Sequence, residues 1–174
     1  MAFQTEVRFD QGYGVVGELN VDGPVRAQSV VIHSENPANN VVGRYFTRNA
    51  DGTYGAGGVG AAGGILANPK VYASQGATDT LSPTLTLRNG ELGEFVSLGE
   101  INILIDVAAD PGADVQYNTT TGALTAVAAG TAPAEGFAAA PGAKLARVAQ
   151  ADASGGLAVV ALGSGATTYN IITE

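Results

Sequence analysis

Glycine is distributed through this chain so densely that few stretches could carry a helix of useful length. There are 25 glycines in 174 residues, and each one in a helix interior costs about 1 kcal/mol relative to alanine. Between residues 3 and 29 the backbone is interrupted by Gly12, Gly14, Gly17, Asp22-Gly23 and Pro24, so no helical stripe can form there. The abundance of Ala, Val and Thr, with a single Met and no Trp, favours short strands joined by tight turns. The expected fold class is all-β.

Residues 1–28 read as an extended arm and residues 29–174 as a single β-domain. Strand candidates follow at Ser29–His33 and Gly43–Arg48, separated by the turn-rich segment 34–40 and followed by a turn at Asp51-Gly52. Gly55–Gly64 holds six glycines in ten residues and reads as loop. Ile65–Ala73 is a short apolar segment in which Pro69 removes a donor, which suggests an edge or broken strand. Apolar residues alternate at Leu85 and Leu87, and again at Ile101, Ile103, Ile105 and Val107, which predicts strands with one buried face. Val115–Tyr117 and Ala123–Val127 read as a hairpin around residues 118–122. Ala128–Gly142 reads as a link, and Leu145–Gln150 follows. The continuous apolar run Leu157–Leu162, bracketed by Gly156 and Gly163, suits a buried central strand. Eight or nine short strands at this spacing point to a jelly-roll-like sandwich or small β-barrel with an extended N-terminal arm.

Hydrophobic residues make up 45% and charged residues 14% of the chain, so one domain-sized core is available. The net charge of −8 disfavours nucleic-acid binding, because phosphate repels an acidic surface. Charge is unevenly placed: residues 1–88 carry six basic and seven acidic groups, residues 89–174 two basic and nine acidic. The nearly neutral half is the better candidate to grip a partner. The absence of cysteine removes disulfides and thiolate chemistry. Met1–Glu6 has neither the basic nor the apolar region of a signal peptide, so synthesis in the cytoplasm is expected.

No motif predicts catalysis. His33, the sole histidine, stands beside Ser34 and Glu35, but adjacent strand residues point to opposite faces and a triad needs side chains that converge from separate segments. Gly55, Gly57 and Gly60 match a dinucleotide-binding spacing, with Asp79 downstream, yet Gly63, Gly64 and Pro69 deny the helix that such a site requires. Asp106, Asp110 and Asp114 lack the loop of a calcium site, and Asn118-Thr119-Thr120 reads as turn chemistry. No catalytic residue, cofactor or metal is expected.

The order of features in the C-terminal half is distinctive. A strand ends in Asp110-Pro111-Gly112, then come the hairpin from Asp114 to Gly122, an Ala/Gly/Pro link, Lys144–Val148 and Gly156–Leu162. The N-terminal half agrees in outline through residues 22–27, 42–46 and 64–70. In this order the chain resembles the structural cement, or capsid decoration, proteins of tailed bacteriophages. The resemblance implies a non-enzymatic virion protein on the outer capsid surface that bridges copies of the major capsid protein. It also implies a homo-oligomer, with a trimer favoured and a dimer possible. Within that reading the candidate capsid contacts are Arg8, Arg26, Arg44, Tyr45, Phe46 and Arg48, since arginine and aromatic residues are preferred interface anchors. The competing reading is an adhesion or receptor-binding β module, which the absence of Trp and the scattered tyrosines disfavour.

Overall fold

A computed structural model describes residues 14–20, 23–59, 61–69, 86–152 and 155–163. Among the described residues ten strands form, in chain order β1 (Leu19–Asn20), β2 (Arg26–Val31), β3 (Tyr45–Arg48), β4 (Tyr54–Ala56), β5 (Ala61–Leu66), β6 (Leu92–Ile105), β7 (Asp114–Asn118), β8 (Leu124–Val127), β9 (Phe137–Asp152) and β10 (Gly155–Leu162). The only helical turn among the described residues is a 3-10 turn at Pro37–Asn39. The strands make one sheet whose main path runs β4-β3-β5-β6-β10-β9-β7-β8, with β1 and β2 also paired to β6. All the ladders between named strands are antiparallel. The all-β expectation holds, as a curled half-barrel.

β6 is the spine. Its first half pairs with β2 and β5, and its second half with β1 and β10. The change of partners coincides with Gly99, at φ +116°. Register shifts in the β2–β6, β3–β5, β7–β9 and β9–β10 ladders act as bulges, and bulges increase local twist and bend a sheet. The curl brings the β7–β8 turn against the other end of the path: Tyr45 N donates to Gly122 O at 2.9 Å and Gly58 N to Thr119 O at 2.6 Å. A Cβ on Gly122 would lie 2.4 Å from Tyr45 O, and one on Gly57 2.5 Å from Thr119 O. Both glycines also hold φ of +71°, a region that disfavours side chains.

The spine divides two cores. A smaller, partly aromatic one contains Ile32, Phe46, Tyr54, Leu66 and Phe95. The larger one gathers Ile65, Val96, Ile101, Ile103, Ile105, Val115, Leu145 and Val160, with Tyr45 stacked on Tyr117 at 4.4 Å between ring centroids.

Three expectations fail locally. Gly55–Gly64 is not simply loop, because it holds the end of β4 and most of β5. Its glycines serve close packing: a Cβ on Gly63 would meet Phe46 O at 2.0 Å, and one on Gly64 would meet Val96 O at 2.5 Å. The link Ala128–Gly142 becomes strand from Phe137 onward, and Pro141 is tolerated because it falls between Ala139 and Lys144, where the ladder to β7 breaks register. Two strands also exceed the short lengths that the sequence implies, β6 spanning 14 residues and β9 16. Leu85 lies outside the described residues, Thr86 makes only an isolated bridge to Val41, and Leu87 is buried. The hairpin of β7 and β8 and the buried strand Leu157–Leu162 form where the sequence places them, the latter between β6 and β9.

Candidate functional site

Gly99 and the Ser97–Leu98 step before it create an opening in the sheet. The β5 ladder on β6 stops at Ile65 opposite Val96, and the β10 ladder begins only with Leu162 opposite Gly99. A cleft of about 660 Å³ lies there, bounded by β2, β3, β4 and β5 on one side and by Pro141, Leu162 and Gly163 on the other. Arg26 is exposed on β2, and its Nε donates to Ser97 Oγ at 3.1 Å. Tyr54 Oη donates to Gln28 Oε1 at 3.3 Å. Tyr45 lines the same cleft. Burial, followed by the neighbouring Tyr117, pushes its phenol up to about 12, despite the opposing hydrogen bond with the Gly63 backbone. It is therefore a neutral phenol at any physiological pH.

The six sequence candidates do not form one patch. Arg26 and Tyr45 meet at the cleft. Arg44 is half-buried elsewhere, where Nη1 donates to Asn39 Oδ1 at 3.0 Å and Thr121 O at 3.2 Å, and burial lowers its pKa. It borders a separate apolar groove of about 520 Å³ with Val41, Leu104 and Leu124. Tyr45 retains only 3% of its surface and Phe46 none, the latter packed on Phe95 with ring centroids 5.1 Å apart. Arg48 is exposed at the end of β3. Arg8 lies outside the described residues. The sequence reading did not single out Gln28, Tyr54 or Ser97, which the cleft adds. Tyr54 borders the segment read as loop, so no periodicity marked it.

A family model described as structural cement protein (E217 gp24/Pam3 gp6) matches residues 3–163. The chain belongs to this phage cement family. It is a structural protein of the virion, associated with capsid proteins. No curated protein matches the sequence. Among solved structures, a chain from "The capsid of Myoviridae Phage XM1" superposes with a TM-score of 0.62 at 15% identity, over 93% of this chain and 98% of that one. At that identity the likeness is one of fold.

The polar residues of this cement protein that suggested chemistry are engaged in building it. Ser34 is buried, and its Oγ accepts from Ala56 N at 2.8 Å. Its backbone exchanges hydrogen bonds with the Asn89 amide, which also accepts from Asn40 Nδ2 at 2.9 Å. The His33 carbonyl accepts from Asn49 Nδ2. Gly55 lies within β4 rather than at a strand-to-helix turn. Asp114 is bound by Lys144 and by Gly130 N, and these hydrogen bonds hold its carboxyl below the ordinary range. Asn118 Oδ1 accepts from Thr120 N and Thr121 N, each at 2.9 Å, closing the β7–β8 turn.

Proposed function

We propose that this protein binds the outer face of a phage capsid as a symmetric homo-oligomer, a trimer or a dimer, and ties neighbouring coat subunits together without catalysis. The reading rests on the cement-family match across residues 3–163. Synthesis in the host cytoplasm and assembly onto the completed shell belong to the same proposal, as does a jelly-roll-like or small-barrel role for the half-barrel. Residues 1–28 act as an arm whose later part joins the sheet, β1 and the first residues of β2 pairing with β6, and residues 29–174 form the rest of the body. An oligomer that touches several coat subunits gains effective concentration at each later contact, so individually ordinary interfaces suffice. We assign contact to Arg8, Arg26, Arg44 and Arg48 and withdraw Tyr45 and Phe46, whose surface is already spent inside the chain.

Cosedimentation with capsids lacking the protein tests this. Saturable binding at a simple ratio to coat subunits, with greater heat resistance of the shell, is the expected outcome. Absence of binding, or binding to intact host cells instead, overturns it. Deleting residues 1–25 should weaken capsid affinity; unchanged affinity removes the arm from the proposal.

A further inference from the structure

We infer that the cleft headed by Arg26 receives an extended, carboxylate-bearing segment of the coat subunit. This rests on the cement reading and specifies its contact. Among the described residues that line the cleft, Arg26 is the one that carries a charge. Its Nε is tethered to Ser97, while its terminal guanidinium nitrogens have no partner among the described residues. An arginine fixed at one nitrogen and open at the others offers a carboxylate a charge-assisted pair of hydrogen bonds.

The remaining walls fit a peptide better than a small anion. A volume of about 660 Å³ lies within the range of ligand sites, roughly 300–1,000 Å³. Val96, Leu162 and Pro141 give it apolar surface, and the Tyr54–Gln28 pair adds neutral hydrogen-bonding groups. Ser97 and Leu98 pass along β6 between the end of the β5 ladder and the start of the β10 ladder, where the β2 ladder skips Ser97 and Gly163 comes up against Leu98. An extended segment laid over this step can send alternate side chains into the pocket. Charge complementarity selects an acidic residue opposite Arg26.

The test compares the full-length protein with Arg26→Glu, Arg26→Ala and Arg26→Lys on capsids lacking it, with Arg88→Glu, at an exposed arginine outside the cleft and outside the assigned contacts, as the charge-matched control. Capsid affinity should fall roughly tenfold or more for Arg26→Glu, as for truncated interfacial charge pairs. Arg26→Ala should lose less, and Arg26→Lys least. Thermal melting of each free variant checks that the fold is retained. Arg26→Glu binding like wild type, or losing no more than Arg88→Glu, overturns the inference while leaving the cement role intact; failure of wild type to bind overturns the cement role itself. Short overlapping peptides from the coat subunit should include an acidic one that shifts the amide resonances of Gln28, Ser97 and Gly64, and Arg26→Ala should abolish that shift. If no peptide does so, or acetate alone reproduces the shift, the peptide assignment is overturned. A change in the mass of the free oligomer on Arg26→Glu would assign the cleft to a second copy of this chain instead.

Discussion

The two halves that meet along β6 solve the same problem by different means. The half built from β6, β7, β8, β9 and β10 has the longer strands, and an aliphatic set led by Ile101, Ile103, Ile105, Val115, Leu145 and Val160 fills its interior. The half built from β2, β3, β4, β5 and the start of β6 has short strands and a core in which Phe46 and Tyr54 both contact Phe95. Side-chain amides supply part of its cohesion, as Asn49, Asn89 and Asn40 bind backbone or each other across the fold. A small core without long strands depends on a few large side chains and on backbone approach close enough to require glycine. An aliphatic core with long ladders spreads its stability over many contacts.

The largest test of that difference is Phe46→Ala. Truncating a fully buried phenylalanine costs about 3–5 kcal/mol, and here it removes a central ring of the smaller core. Urea unfolding should show that loss; a cost below about 1.5 kcal/mol, of the kind expected for Ile103→Val in the aliphatic half, would dissolve the distinction.

Gly57→Ala probes the seam between the halves. The substitution places a Cβ 2.5 Å from Thr119 O in a left-handed backbone conformation, strain of order 1–3 kcal/mol. Amide exchange should accelerate most at the β7–β8 turn and at Tyr45, which the seam holds together. Faster exchange confined to β9 and β10 would refute the assignment of the seam.

The smallest effect is expected from Asp114→Asn, within the regular half. The folded state depresses the Asp114 pKa through Lys144 and Gly130. Its contribution is therefore fully present above the unfolded value of about 3.9 and is lost as pH falls through the lower folded value. The stability gap between wild type and Asp114→Asn should be constant near neutrality and close on acidification below about pH 4. Because Asp114 and Lys144 are both partly exposed, added salt should also narrow it. A gap that widens in acid would contradict the ion-pair account.

The candidate site was less legible than the fold. Arg26 could be named as a candidate from its residue type, but Tyr45 and Phe46 drew attention for the same reason, and both are core. Residue type states what a side chain can do in contact with a partner and not whether the chain has already covered it. Tyr54 and Gln28 became site residues only because β4 and β2 turn towards one another, seen in the bridge between Ile32 and Tyr54.

By itself, the sequence determined the all-β class, the β7–β8 hairpin and the buried strand Leu157–Leu162, because turn chemistry and a short apolar run bracketed by glycines act over a few neighbouring residues. Its ordered features also carried the cement-family resemblance. Only tertiary structure decided that Gly63 and Gly64 belong to a strand, that Pro141 lies within one, and that Arg26 stands over a cleft. Each of those outcomes depends on a backbone or side chain distant in the chain: Phe46 O and Val96 O against the two glycines, a broken ladder beside the proline, and the gap between the β5 and β10 ladders below the arginine.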